Sequence, residues 1–386
     1  MNPFWHRLAW APVVWALAGS VGAAPLTVDL ATTEGYRQTC ANLPKVPASL
    51  KQDDERLAFV ICRDTALVQQ IVTWGMQGMA RMQSERPREE AIMAEVRKEI
   101  DYVREEIGVT RKILEKINLG SRKSVRLVPS EWQSDLDGDG HIDVWEKYFF
   151  AIPRRGHQPF RFGRPSDDVS YYLRDYNLDA SILVDQSDVL WALAYHQFIE
   201  GLLVNIRAFE LDFHRFQLIL ARPELLKQAH NLINQGFLTS ERMRHSVLAE
   251  KSDDQEWIAN PRQSDSVFPV PMDQEDFALW GDLLKELTAL WQGRHLLPVA
   301  QGNRGLLAEF APLCPEDTGL SLAHLYLKPP AAGAEFGLGK EAKLSADHCQ
   351  RITAKRPITR LPEMAEKAMR SGTGDMRFLR YLYWTN

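Results

Sequence analysis

The stretch 89–120, EEAIMAEVRKEIDYVREEIGVTRKILEKINLG, settles the fold class. Ile92, Val96, Ile100, Val103, Ile107, Leu114 and Ile117 recur every three or four residues, so they share one stripe of a helix. Glu, Lys and Arg fill the other faces, and Asn118 and Gly120 supply stop signals. The stretch upstream repeats the pattern. Between about Gln52 and Met82 the apolar set is Leu57, Val60, Ile61, Leu67, Ile71, Trp74, Met79 and Met82, with Ser84 and Pro87 marking the turn that follows. Two long amphipathic helices joined by a short turn predict an antiparallel helical hairpin. An intermolecular coiled coil would give the same heptad-like spacing.

Twelve residues further on, Asp135 to Glu146, read DLDGDGHIDVWE. Carboxylates stand at Asp135, Asp137 and Asp139, Gly140 follows, and Asp143 and Glu146 complete the set. A hard divalent cation takes about six to eight oxygens, and alternate carboxylates converging across a sharp glycine turn supply them. The segment resembles the EF-hand calcium loop at its diagnostic positions. That resemblance implies calcium as the ligand, with Asp135, Asp137 and Asp139 as direct donors and His141 contributing its backbone carbonyl. It further implies Ile142 as an apolar plug, Asp143 acting directly or through water, and Glu146 closing the site with both oxygens. Only the loop carries the likeness. Pro129 and Ser130 leave room for a turn or two where a regular EF-hand has a long entering helix, and no second DxDxDG loop occurs. A lone site of this kind is expected to clamp structure rather than to switch it.

Beyond Phe150, the Arg-, Gly- and Pro-rich stretch 153–165 marks an expected boundary between a unit 24–152, hairpin plus loop, and a unit 153–386. Ser187 and Asp188 are expected to cap a long helix reaching Leu220. A shorter helix from Pro223 should end at Gly236, with another starting near Thr239. The segment from Ser252 to Pro271, rich in Asp, Ser and Pro, suggests a surface excursion, and Asp273 starts a helix closed by Gly293. Past Pro298 periodicity weakens into loops, with one last helix over 361–370 and an aromatic tail of Phe378, Tyr381, Tyr383 and Trp384 expected on the core. The fold class is therefore mainly α, ending in a loop-rich C-terminal part.

Within the long helix, His196, Glu200, Arg207, Glu210 and His214 share a stripe. His196 and Glu200 lie one turn apart, the spacing that lets two side chains converge on one proton or ion. They are the candidate catalytic pair, as acid and base or as metal ligands. In the alternative, Glu200 orients His196 inside a helical core while Arg207 and Glu210 form a surface ion pair.

Residues 1–23 have the form of a signal peptide: His6 and Arg7, an apolar run from Leu8 to Ala18, then small residues before Ala24. The run is too short to span a membrane, which takes roughly 20 residues. Export to the periplasm or outside the cell makes disulfides the expectation for Cys40, Cys62, Cys314 and Cys349. Local pairing favours Cys40–Cys62 and Cys314–Cys349. A net charge of −5 without a basic run gives no field for nucleic acid.

No GxSxG elbow, Walker loop, GxGxxG fingerprint or HExxH motif is present. The expected protein is an exported calcium-binding helical protein with a structural or binding role, its partner another protein or an envelope component. A hydrolase built on His196 and Glu200 is one rival. A calcium-dependent adhesin or carbohydrate-binding module, marked by exposed aromatics beside the loop, is the other.

Overall fold

A computed structural model describes residues 27–84, 88–155, 167–212, 215, 217–251, 255–264, 266–269, 272–298, 314–315, 317–337 and 348–364. The signal-peptide segment, most of 153–165, His214, the end of the 361–370 stretch and the aromatic tail lie outside them.

Helix α1 (Thr33–Asn42) starts where the Thr32 hydroxyl accepts the Gly35 N–H at 3.0 Å. The Cys40–Cys62 disulfide fastens it to α2 (Asp53–Ser84), and the Tyr36 and Thr65 hydroxyls meet at 2.7 Å beside the bridge. Helix α3 (Glu89–Leu114) packs against α2, which gives the hairpin. Burial along the hairpin is uneven. Leu57, Ala58, Val60, Leu67, Ile107, Ile113 and Leu114 are buried, whereas Ile71, Met79 and Met82 near its turn are exposed. The stripe is thus core-facing only where another element covers it.

After short strand β1 (Arg126–Leu127) come helix α4 (Val144–Lys147), β2 (Ile152–Pro153), helix α5 (Val169–Asp175), β3 (Tyr176–Asn177) and β4 (Ile182–Leu183). Strand β1 pairs antiparallel with β4, and β2 with β3. One hydrophobic core then continues from Leu30 through the hairpin to Val189, Phe237, Trp257 and Leu284.

Helix α6 (Gln186–Ala208) is central. Its N-cap is Asp185, whose Oδ1 accepts the Ser187 and Asp188 N–H groups at 2.7 and 3.2 Å. The helix stops at Ala208 rather than continuing to Leu220. The Ala208 carbonyl is taken by the N–H groups of Ala221 and Arg222 at 2.9 and 3.0 Å, and Phe209–Asp212 turns into strand β5. Strand β5 pairs with β6 (Gln217–Leu220), which in turn pairs with β8 (Glu335–Gly337). Burying Gln217 and Leu220 through strand pairing outweighs the modest propensity for further helix.

A single helix α7 (Glu224–Ala249) replaces the two expected around Gly236. The glycine ends nothing; it makes room. A Cβ at Gly236 would stand 2.6 Å from the Phe198 ring, and one at Gly201 would stand 2.6 Å from Ile233 Cγ1, so α6 and α7 meet across bare backbone. The segment expected on the surface after Ser252 is also core: Glu256, Trp257, Ile258 and Phe268 are buried.

Helix α8 (Gln274–Trp291) is capped by Asp273 and closed by Gly293 in a left-handed conformation, as its spacing predicts. The last part holds more structure than its weak periodicity suggests. Strand β7 (Thr318–Leu320) pairs with β9 (Cys349–Arg351), helix α9 (Leu322–Leu327) follows β7, and Cys314–Cys349 staples the region. The fold is mainly helical, and both disulfides join the expected partners.

Candidate metal centre

The loop from Asp135 to Glu146 is held from two sides. On α2, Gln69 donates through Nε2 to the Asp135 carbonyl at 2.5 Å, and Thr73 donates its hydroxyl to the Leu136 carbonyl at 2.7 Å. Leu136 itself is wholly buried, so the second loop residue is the apolar anchor, while Ile142 is 40% exposed. The expected plug is on the surface.

Inside the loop, backbone N–H groups turn the carboxylates inward. Asp135 accepts from Gly138 N through Oδ1 at 2.7 Å and from Gly140 N through Oδ2 at 2.9 Å. Asp137 Oδ1 accepts from Asp139 N at 3.1 Å, and Asp139 Oδ1 from His141 N at 2.7 Å. Gly138 and Gly140 have φ of +80° and +91°, values that burden a side chain, so the sequence needs glycine at both points. The result gathers one carboxylate oxygen each from Asp135, Asp137 and Asp139 within 4.8 Å of one another. A hard cation such as calcium or magnesium fits such an oxygen set.

Glu146 stands apart from this trio. It is buried, Oε1 accepts the N–H groups of Leu136 and Asp137 at 2.6 and 3.1 Å, and Oε2 accepts that of Asp143 at 2.7 Å. Its carboxylate thus ties the beginning of the loop to helix α4, a job the sequence does not advertise. Oε1 has both lone pairs engaged, and Oε2, which holds the Asp143 N–H, keeps one lone pair open. His141 and Asp143 are exposed on the outer edge of the loop.

His196 and Glu200 do not converge. Both are buried. His196 Nδ1 lies 2.7 Å from the Ala192 carbonyl and Nε2 lies 2.9 Å from Asp64 Oδ2 on α2. Glu200 Oε2 accepts from Arg111 Nε on α3 at 2.5 Å. Each side chain of the pair therefore joins α6 to a different helix. Further along the expected stripe, Arg207 makes a two-pronged contact with Asp101 at 2.8 and 2.9 Å, and Glu210, on strand β5, faces Arg97 at 3.7 Å. Arg207 and Glu210 thus pair with α3 rather than with each other, because the helix ends between them.

A second carboxylate group is not legible in the sequence, because Asp185 lies far along the chain from Glu250 and Glu256. Asp185, Glu250 and Glu256 also approach within 4.8 Å of one another. Here the Lys123 ammonium is already seated, 2.8 Å from Glu256 Oε1 and 3.3 Å from Asp185 Oδ2. Burial, reinforced by Asp185 and Glu256, pushes the Glu250 carboxyl up to about 8. Asp188 alongside is likewise raised by burial.

No protein family, no curated protein and no solved structure matches the chain.

Proposed function

We propose that the loop from Asp135 to Glu146 binds calcium, and that the ion locks this turn against α2 in an exported protein with a structural or binding role. The observation that supports the reading is the trio of Asp135, Asp137 and Asp139, drawn to within 4.8 Å by the loop's own N–H groups. Three anions at that distance repel, and a cation among them relieves the repulsion. The two disulfides fit an oxidising compartment, where calcium abounds and a weak single loop fills.

The test is thermal unfolding and calorimetry of the mature chain in calcium and in chelator. Binding at about a hundred times the dissociation constant adds about 2.7 kcal/mol of stability. Asp137→Asn keeps the acceptor for Asp139 N and removes one charge, so it is expected to fold and to lose the calcium response. Equal melting of the wild type in calcium and chelator would sink the proposal.

A second reading, a calcium-dependent adhesin or carbohydrate-binding module, draws on what flanks the loop. Phe149 and Ile142 are exposed there, and Phe149 sits edge-on to Trp145 and Phe150 with centroids 6.3 and 5.1 Å away. Glycan-array binding that disappears both in chelator and in Phe149→Ser would favour it.

A further inference from the structure

We propose that His196 is held as an imidazolium and acts as a pH-dependent latch between α2 and α6. The ring has two nitrogens and both face acceptors. The Ala192 carbonyl, 2.7 Å from Nδ1, has no proton to give, so Nδ1 carries one. Asp64 Oδ2, 2.9 Å from Nε2, belongs to a carboxylate, and that contact is a hydrogen bond only if a proton sits there as well. A neutral imidazole owns one N–H and can satisfy one of the two. Doubly protonated, it satisfies both and gains a charge-assisted bond to Asp64.

The charged groups around the ring support the added proton. Helix α2 presents Asp64, and the neighbouring Arg63 is occupied by Glu106 of α3, at 2.5 Å. Helix α6 presents Glu200, one turn on, which engages Arg111 of α3, itself shared with Glu115 at 2.6 Å. Helix α7 meets α6 through apolar groups, Ile233 against Gly201 and Phe237 against Phe198. No cation without a carboxylate partner therefore opposes the imidazolium among these described residues. Burial is the largest influence and works against the charge, yet Asp64, the Ala192 carbonyl and Glu200 together outweigh it and raise the imidazole above its ordinary 6.5.

The latch matters because α2 leans chiefly on α3 and α1, and the contact from Asp64 to His196 ties it directly to the central helix. It needs no calcium and stands whether or not the loop takes an ion. The folded state holds the extra proton more tightly than the unfolded chain. The contribution is therefore complete below the ordinary value and is lost as pH climbs through the raised one, each unit of difference changing the unfolding constant tenfold.

Nitrogen-15 NMR of the intact protein at about pH 7 reads the ring directly. Both His196 nitrogens are expected in the protonated range, and a bare Nε2 or Nδ1 at that pH overturns the proposal. Urea unfolding between about pH 5.5 and 8.5 supplies the second arm. Asp64→Asn keeps the shape and removes the charge, so its unfolding constant should rise less steeply with pH than the wild type's. An Asp64→Asn profile parallel to wild type overturns the latch. His196→Gln, where it folds, should give the same flattened profile, and the NMR arm needs no variant at all.

Discussion

Two groups of three carboxylates occupy this protein at the same spacing, within 4.8 Å, and they solve the same electrostatic problem in opposite ways. Asp135, Asp137 and Asp139 lie on one short loop, partly open to water, and accept hydrogen bonds from the loop's backbone N–H groups. Asp185 comes from the start of α6 and Glu250 and Glu256 from the segment just after α7; Asp185 and Glu256 are buried and hold Lys123 between them. Water and a free cation can relieve the first group. The second, largely withdrawn from water, relies on a resident ammonium and on a Glu250 carboxyl whose affinity for its proton burial raises. The proposed ion-binding group differs from the structural one in lacking an internal counter-charge, more than in the number or closeness of its acids.

The largest effect should come from removing that counter-charge. Lys123→Met removes the ammonium seated 2.8 Å from Glu256, a carboxylate only 1% exposed, and the cost is expected at about 3–5 kcal/mol in urea unfolding. A loss below about 1 kcal/mol would erase the distinction between the two groups. Next is Glu146→Gln. Its amide N–H₂ would face backbone N–H donors that the carboxylate now satisfies, and about 2 kcal/mol should be lost even in chelator. A variant that lost calcium affinity with unchanged stability in chelator would move Glu146 from brace to ligand.

The third effect is a pH slope. Burial raises the folded-state value of Glu250 from 4.5 to about 8, so the enclosed group is most stabilising below 4.5 and weakens as pH rises through about 8. Partial exposure trims the change to roughly 2 kcal/mol across that window, and Glu250→Gln should flatten it. Smallest of all is His141→Ala. The side chain is exposed and only its N–H bonds Asp139, so calorimetry should show calcium affinity within about twofold of wild type, about 0.4 kcal/mol.

Much of this contrast follows how each feature is written in the chain. The loop, the hairpin and both disulfides are local, and their spacings in Asp135–Glu146, 89–120 and the cysteines made them legible. The enclosed carboxylates are not, since Lys123, Asp185 and Glu256 meet only after the core closes. The end of α6 was hidden for a related reason. Helical periodicity runs on past Ala208. The helix stops where the strand Gln217–Leu220 pairs back on Phe209–Asp212, and the N–H groups of Ala221 and Arg222 beyond that strand claim the Ala208 carbonyl. Gly236 misled because a glycine reads as a break, whereas a neighbouring ring required it. Buried Phe268 and Trp257 misled because polar residues around them resemble a surface loop. His196 and Glu200 stand out in the sequence by their one-turn spacing, but their partners, Asp64 and Arg111, are supplied by other helices.

The bare-backbone crossing of α6 and α7 bears on how this architecture could be recognised elsewhere. Gly201 and Gly236 tolerate no added carbon without driving Ile233 or Phe198 aside, so substitution at these two points is resisted more than volume-conserving swaps among the surrounding apolar residues. A remote cousin whose loops and surface had been rewritten would still have to carry that matched pair of gaps.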